Sequence, residues 1–522
     1  MISKEVRKIN NILLINPRNR AYILKESGNI NFGKMFPLGL AYVAAALEKE
    51  GYQVDIIDAI AEGFENRERV DKEHIRVGIS DEQLINKVLQ SNPDMVGITN
   101  LFSMQAEEVF YIVRLIKKLL PSVPIVLGGS HPSSMPEVVL ENPEIDYVII
   151  GEGEKAINEL ISRLNDHKPL KGHKGLGYRD EEGTIHINKE IDFVEDIDAL
   201  PMPAYHLFEI SNYFGKMAVH GERLTERFLP MITSRGCPMK CTFCTAHNVW
   251  GNKYRGRSPE KVIEEMEYLR DRYDVQEIIF EDDNITLSNK NSNKLFDLMI
   301  NRKVGIAWTV PNGIAAFTIT SQLLNRMKQA GCYKVNFAIE SGSQRVLNDV
   351  IKKPLNLKKV VPLIKHCRKI GLDVGAFFIL GMPGETLDEI RETFRFVRKN
   401  KLFSANLSIA VPLPGSKLYD MVVQSGYFVQ ENLNNSLSML HPRSYQIQTP
   451  EWSAEQIENI IRFETARTKI SILFTSPSLL LRFLTKNPKY VLKRFMYEVS
   501  SLLRVVIFVR INRFFKSLRF QG

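Results

Sequence analysis

Short β-branched runs alternate with helical patterns along most of the chain, and this alternation restricts the fold more than any other feature. In residues 1–165, strands are predicted at 11–16, 53–58, 94–99, 124–127 and 146–150. Helices at 38–49, 81–89 and 104–120, and a short turn segment near 132–140, separate these strands. Strands and helices in this order predict an α/β domain with a doubly wound parallel sheet over residues 1–165.

The alternation resumes after a connector predicted at residues 166–225, in which turn residues at 180–183 indicate a hairpin within 175–190. Six further strands are predicted at 228–233, 277–281, 306–310, 334–340, 374–380 and 406–411. Helices are predicted between them at 259–273, 291–299, 357–370 and 387–399. This pattern favours a partial (β/α)6 barrel over residues 226–416, with its chemistry at the carboxyl ends of the strands. A mostly helical extension is predicted over 417–475.

Small and hydroxylated residues follow three predicted strands of the first domain, at the edge where such sheets bind their ligands. These segments are residues 99–103, 128–132 and 151–154. Residues of this kind let a ligand approach the backbone. The alternative is that the glycines only make tight turns.

Three of the five cysteines, Cys237, Cys241 and Cys244, fall within eight residues, directly after the first predicted barrel strand. Their thiols are therefore expected to project from one loop at the mouth of the barrel. Three thiolates can hold three irons of a four-iron cluster and leave the fourth iron open. A structural zinc site completed by His247 is the alternative. Either site indicates a reducing compartment.

The cysteine segment resembles the CxxxCxxC signature of radical S-adenosylmethionine (SAM) enzymes, including the aromatic Phe243 before the third cysteine. Segments at 280–284, 337–342, 375–386 and 412–416 resemble later strand-end motifs of the same barrel. Segments at 36–40, 127–132 and 151–154 are similar to the cobalamin-binding domain that precedes the barrel in one large subgroup. The chain departs from one pattern, because no Asp-x-His-x-x-Gly places a histidine below cobalt. Many members of the subgroup are similar in lacking it.

The resemblance implies a 4Fe-4S cluster on the three cysteines, SAM at its open iron, and an electron donor such as flavodoxin or ferredoxin. SAM is expected to contact residues after the later barrel strands. These are Phe243, Asp282, Asp283, Glu340, Ser341, Gly381 and Gly384. For Asp282 and Asp283 the alternative is a solvated turn or a helix cap. Cobalamin is expected at the strand ends of the first domain. The residues there are Thr99, Ser103, Gly128, Gly129, His131, Gly151 and Gly153.

The resemblance further implies a cobalamin-dependent methyltransferase that acts on an unactivated carbon through a 5′-deoxyadenosyl radical. One alternative is cyclisation or oxidation, as in the anaerobic tetrapyrrole ring cyclase, and a non-catalytic cobalamin sensor is an alternative of another class. A methylthiotransferase would carry three more cysteines in its amino-terminal domain, whereas no cysteine precedes Cys237. Cys332 and Cys367 are interpreted as buried small hydrophobes.

The net charge of +9 is concentrated in the last residues of the chain. Residues 482–522 hold ten Lys and Arg against one acid, interleaved with aromatic residues. A basic, apolar tail over 476–522 is typical of a segment lying on an anionic membrane surface, and it suggests a lipid or other hydrophobic substrate. Nucleic-acid binding and a helix packed on the protein are the alternatives. With no signal peptide and no apolar run of about 18 residues, we expect a cytoplasmic protein, peripheral on the inner membrane face.

Overall fold

The computed structural model describes residues 8–22, 34–72, 74–215, 223–429 and 446–475. These residues divide into two compact units. The first takes the described residues within Met1–Met239, Cys244–Asn312 and Asn325–Tyr333. The second takes those within Lys240–Phe243, Gly313–Leu324 and Lys334–Gly522.

Strands and helices alternate through both halves of the chain. The strands are β1 (Asn11–Asn16), β2 (Asn19–Tyr22), β3 (Gln53–Asp58), β4 (Arg67–Arg69), β5 (His74–Val77), β6 (Met95–Thr99), β7 (Ile125–Gly128), β8 (Tyr147–Ile149), β9 (Leu176–Arg179), β10 (Ile185–Asn188), β11 (Phe228–Met231), β12 (Ser234–Arg235), β13 (Arg255–Gly256), β14 (Glu277–Phe280), β15 (Ala307–Ile314), β16 (Cys332–Glu340), β17 (Asp373–Leu380) and β18 (Ser404–Ile409). The helices are α1 (Leu38–Lys49), α2 (Asp81–Ser91), α3 (Ala106–Leu119), α4 (Ser130–Ser134), α5 (Pro136–Leu140), α6 (Gly153–Asn165), α7 (His247–Trp250), α8 (Pro259–Tyr273), α9 (Asn289–Asn301), α10 (Ser321–Gln329), α11 (Leu357–Lys369), α12 (Leu387–Lys399), α13 (Lys417–Gln424) and α14 (Ala454–Phe474).

Five of the seven strands of the first sheet are parallel and adjacent, in the order β3-β1-β6-β7-β8. Alternate residues of β1 belong to different hydrophobic cores. Leu13 packs with residues of α2 and α3, such as Leu84 and Val109, whereas Leu14 packs with residues of α1 and α6, such as Leu47 and Leu160. Helices therefore cover both faces, which confirms the predicted doubly wound sheet.

The predicted hairpin of the connector forms, but it belongs to the first sheet rather than to a separate connection. Strands β9 and β10 are antiparallel to each other, and β9 pairs antiparallel with β8. Edge pairing satisfies the backbone groups of β8 that would otherwise be exposed. A three-stranded antiparallel sheet, in the order β2-β5-β4, was not predicted because its strands are only three or four residues long and each contains at least one arginine.

Six strands form a second sheet in the order β11-β14-β15-β16-β17-β18. The pairings of β11 with β14, β14 with β15, β16 with β17, and β17 with β18 are parallel. Helices α8 to α12 each lie between successive strands of this sheet along the chain. Parallel strands that follow chain order, with a helix after each, are the arrangement of a partial βα barrel, as predicted. Helices α13 and α14 come after the last strand.

Local signals fix several helix ends. Ser258 caps α8 through its side chain, and Pro259 occupies the first helical position, where its missing N–H costs nothing. Thr386 and Glu389 form a reciprocal capping box at the start of α12.

The basic tail predicted at 476–522 lies outside the described residues, and its contact with a membrane stays a prediction. No helix within the described residues combines the length and the apolar surface that a membrane span requires.

Candidate active site

The three clustered cysteines lie in the loop between β12 and α7, which we call the cysteine loop and define as residues 236–246. Each cysteine side chain is partly exposed, and the backbone N–H of Ala246 lies 3.5 Å from the Cys244 Sγ. Three thiols on one short loop fit the donor set of an open four-iron cluster. In the described part of the chain, no three His, Cys, Asp or Glu side chains are gathered closely enough to hold a single metal ion.

The start of the cysteine loop is packed tightly. Gly236 has a φ of +82°, and a Cβ there would lie 2.2 Å from the Lys253 carbonyl oxygen and 2.9 Å from that of Trp250. The N–H of Cys237 donates to the Gly251 carbonyl at 3.4 Å. The chain entering the loop therefore runs directly against the chain leaving it.

Asp282 lies after β14 and is buried, so it is not part of a solvated turn. Its carboxylate accepts hydrogen bonds from the Thr233 N–H, at 3.0 Å, from the Thr233 hydroxyl, at 2.7 Å, and from the Ser234 hydroxyl, at 2.6 Å. Burial raises the pKa of Asp282, whereas these bonds lower it. The side chain thus holds the segment that leads into the cysteine loop. The neighbouring Asp283 is exposed, and a cofactor contact for either residue stays a prediction.

Phe243 is partly exposed, and the residue before it is firmly held within the second unit. The Thr242 N–H donates to the Ile351 carbonyl at 3.1 Å, and the Thr242 hydroxyl donates to the Val350 carbonyl at 3.0 Å. The Thr242 carbonyl accepts from the Leu418 N–H at 2.8 Å. These bonds fix the backbone at the position where SAM contact is predicted.

Glu340 ends β16 in a left-handed conformation, with a φ of +74°. A non-glycine residue rarely adopts this backbone, which costs about 1–3 kcal/mol and is found most often at functional sites. Its carboxylate pairs with the buried Lys353 ammonium at 2.9 Å. The following residue, Ser341, is fully buried; its hydroxyl lies 3.4 Å from that of Thr393 and accepts from the Ser343 N–H at 3.1 Å.

Gly381 and Gly384 lie in the turn after β17, and this turn is organised by Glu385, which the sequence analysis did not single out. Glu385 is fully buried, and its Oε2 accepts from the N–H groups of Gly381, at 2.7 Å, and Met382, at 3.2 Å. Its Oε1 has no hydrogen-bond partner among the described residues. The Trp452 indole N–H donates to the Glu385 carbonyl at 2.8 Å. An orphaned buried oxygen in this turn fits a polar ligand group.

The buried carboxyl of Glu385 is expected to make the free energy of unfolding depend on pH. Burial raises the pKa of its carboxyl to about 8, against hydrogen bonds from Gly381 and Met382 that lower it. Between about pH 4.5 and about pH 8 the unfolded chain ionises this group while the folded chain does not, so stability falls as pH rises, by up to about 1.4 kcal/mol per pH unit. Glu385→Gln cannot ionise. We expect its melting temperature, relative to the unaltered protein, to rise from about pH 5 to about pH 8, and a difference that is constant with pH would contradict this account.

The polar residues predicted in the first domain come together after β6 and β7. The Ser103 hydroxyl lies 2.9 Å from the His131 Nδ1. A Cβ on Gly129 would lie 2.6 Å from the Asn100 carbonyl oxygen, whereas one on Gly128 would meet open space. Thr99, the last residue of β6, pairs with Gly128.

Buried polar atoms at this edge of the sheet have no partner among the described residues. They are the His131 Nε2 and both polar atoms of the Asn100 side chain. Burial lowers the pKa of His131 to about 4, so its imidazole is neutral near pH 7. Orphaned groups of this kind fit a bound polar ligand. Asn100 lies in the predicted segment 99–103 but was not among the residues predicted to contact cobalamin.

Gly151 and Gly153 lie against other side chains, so that an added Cβ at either position would meet protein atoms rather than open space. A Cβ on Gly151 would lie 2.8 Å from the Ile191 side chain, and one on Gly153 would lie 3.0 Å from Val43. The Gly151 N–H donates to the Ser133 hydroxyl at 2.9 Å. Gly151 also has a φ of +85°, which agrees with the alternative of a tight turn at this position. Cobalamin contact at Gly151 and Gly153 stays a prediction.

Two family models match the chain, and they match the two halves described above. Residues 32–161 match the B12 binding domain, and residues 231–397 match the radical SAM superfamily. The second match contains the cysteine loop, Asp282, Glu340 and the turn after β17.

Relatives match over nearly the whole chain. Cytidylyl-2-hydroxyethylphosphonate methyltransferase of Streptomyces wedmorensis is 33% identical over 87% of this chain and 89% of its own length. An uncharacterized methyltransferase of Pyrococcus horikoshii is 30% identical over 95% of this chain and 99% of its own. The structure of the cobalamin-dependent SAM radical enzyme OxsB, with aqua-cobalamin and SAM bound, matches with a TM-score of 0.70 at 18% identity over 95% of this chain and 72% of that one. The chain therefore belongs to the radical SAM methyltransferase family whose members carry an amino-terminal B12-binding domain.

Proposed function

We propose that this enzyme transfers a methyl group from SAM to an unactivated carbon of a hydrophobic metabolite. In this proposal Cys237, Cys241 and Cys244 hold a 4Fe-4S cluster, and the first domain holds a cobalamin. The observation that carries the proposal is the presence, in one chain, of the three-thiol loop and a B12-binding domain. When bound, the cofactors would supply the reductive cleavage of SAM to a 5′-deoxyadenosyl radical and the transfer of the methyl group.

The protein's part in this reaction is to hold polar groups ready for the cofactors. At the edge of the first sheet, His131 is buried and uncharged near pH 7. Its Nε2 and the Asn100 amide are suited to hydrogen bonds with the amide side chains that a corrin carries. Because neither group is charged, they bind an uncharged ligand without leaving a buried ion unpaired.

In the second unit, two glutamates are candidates for holding SAM. Glu340 is fixed by Lys353 and by its left-handed backbone. Glu385 keeps one buried oxygen without a partner among the described residues. Because burial raises its pKa to about 8, Glu385 is protonated near pH 7, and its free oxygen is suited to exchange a hydrogen bond with a hydroxyl of SAM. An electron donor such as flavodoxin or ferredoxin is proposed to reduce the cluster.

The hydrophobic class of the substrate is inferred from composition alone. Residues 482–522 combine ten basic residues with several aromatic side chains. At about 1 kcal/mol per basic residue near an anionic surface, such a segment would bring the enzyme to a membrane, where hydrophobic metabolites collect.

The proposal predicts the fate of a deuterated methyl group. The reconstituted enzyme, given SAM labelled in its methyl group and an extract of the producing cells, is expected to yield a product that carries the label and partitions into an organic phase. An unlabelled product two hydrogens lighter than its precursor would support cyclisation or oxidation instead. Labelled product confined to water would contradict the hydrophobic substrate class. Mass spectrometry distinguishes these results.

A further inference from the structure

Four buried charged side chains join the end of the first domain to the segments on either side of the cysteine loop. Glu152 and Glu154 lie at the start of α6, Arg235 is in β12 and Arg255 is in β13. Arg235 pairs with Glu152 at 3.1 Å and with Glu154 at 2.6 Å, and Arg255 pairs with Glu152 at 2.8 Å. All four side chains are at most 5% exposed.

The same network holds the chain that leaves the cysteine loop. Arg255 donates to the Trp250 carbonyl at 2.7 Å and to the Val194 carbonyl at 2.7 Å. Glu152 accepts from the Val194 N–H at 2.8 Å. The Arg235 guanidinium lies 4.9 Å from the centre of the Trp250 ring. Arg235 comes two residues before Cys237, and Trp250 ends the helix after the loop, so both ends of the loop are tied to one pair of carboxylates.

Arg235 and Arg255 form their ion pairs with carboxylates of the amino-terminal domain. A buried guanidinium without a partner is strongly unfavourable, so the carboxylates restrict where β12 and β13 can lie.

We propose that Glu152 and Glu154 are positioning residues for the iron–sulfur cluster, and that through Arg235 and Arg255 the B12-binding domain sets the conformation of the cysteine loop. The inference rests on the proposed function, since it assigns the cluster to this loop. It implies that the radical SAM domain needs the preceding domain to retain its cluster, besides any cofactor which that domain binds.

The test is Glu154→Gln in the full-length protein, because this change removes one ion pair and leaves the Glu152 pairs in place. Hydrogen exchange of peptides covering residues 236–253 is expected to become about 10-fold faster. In the iron-loaded protein, loss of iron to a chelator is expected to become at least about 10-fold faster, and the electron paramagnetic resonance signal of the reduced cluster is expected to change shape.

The matched control is Glu108→Gln, which removes another buried carboxylate of the same unit. Glu108 is 1% exposed and pairs with Arg18 at 2.9 Å and Arg76 at 2.8 Å. We expect loop exchange and iron retention to be unaltered in this variant. Equal rates of loop hydrogen exchange and iron loss in Glu154→Gln and in the unaltered protein would overturn the proposal. Equal acceleration of both rates in Glu154→Gln and Glu108→Gln would also overturn it.

A second variant covers the case in which Glu154→Gln does not yield folded protein. Arg255→Lys keeps the charge but cannot make all the bonds to Glu152, Val194 and Trp250 at once. For this variant too we expect faster hydrogen exchange of the loop and faster iron loss than in the unaltered protein and in Glu108→Gln. If the unaltered protein binds no iron, the proposed function fails, whereas the exchange measurement still decides whether the carboxylates hold the loop.

Discussion

Alanine at Cys237, Cys241 or Cys244 is expected to remove the iron–sulfur cluster and to lower the formation of 5′-deoxyadenosine at least about 1,000-fold. With three thiolates in all, the cluster has no spare ligand, and its open iron is needed for SAM. The measurement is iron content and 5′-deoxyadenosine yield after anaerobic reconstitution and reduction.

The matched controls are alanine at Cys332 and at Cys367, the two cysteines outside the loop. Both are buried, at 1% and 0% exposure, and burial raises the pKa of Cys367 to about 12. Their thiols pack as small hydrophobic groups, so alanine should cost about 1 kcal/mol of stability and leave iron content unchanged. Loss of iron from a control equal to that from the loop variants would contradict the assignment of the ligands.

Gly236→Ala is expected to disrupt the cysteine loop almost as completely. A Cβ at this position would lie 2.2 Å from the Lys253 carbonyl oxygen, a separation that real structures do not show, and this neighbour is rigid backbone. The backbone at φ +82° adds a further cost of about 1 kcal/mol for any residue with a side chain. The chain entering the loop must therefore move, and we expect iron content to fall at least about 10-fold.

Gly183→Ala separates the effect of backbone strain from the effect of the close contact with the Lys253 carbonyl oxygen. Gly183 lies in the hairpin between β9 and β10 with a φ of +84°, but a Cβ there would meet open space. Alanine at this position should cost only the backbone strain, about 1 kcal/mol, and should leave iron binding intact. Equal iron content in the two variants would show that the close approach at Gly236 does not restrict the loop.

Local sequence signals were sufficient for much of the fold. Helices α1, α8 and α12 begin and end at the predicted residues. Side-chain caps mark the starts of α8 and α12, and changes of hydrophobic periodicity mark the other ends. The parallel strands of the first sheet were predicted to within about two residues, since fully buried strands are short apolar runs. The spacing of the three cysteines predicted that they share one loop, and the fold places them on one loop between β12 and α7.

Contacts between distant residues could not be predicted. Nothing near Glu152 in the sequence indicates that its partners are Arg235 and Arg255, which follow 83 and 103 residues later. The docking of β9 on β8 is likewise a long-range pairing, so the hairpin was assigned to a connector. Glu385 was missed because a glutamate beside a glycine turn has the sequence signature of a helix start, and only the fold shows its burial.

We propose that the cysteine loop holds a redox-active cluster that cleaves SAM. The most direct test is anaerobic reconstitution of the full-length protein, followed by metal analysis and reduction in the presence of SAM. We expect about four irons per chain and formation of 5′-deoxyadenosine. Stoichiometric zinc, with no 5′-deoxyadenosine formed on reduction, would contradict it.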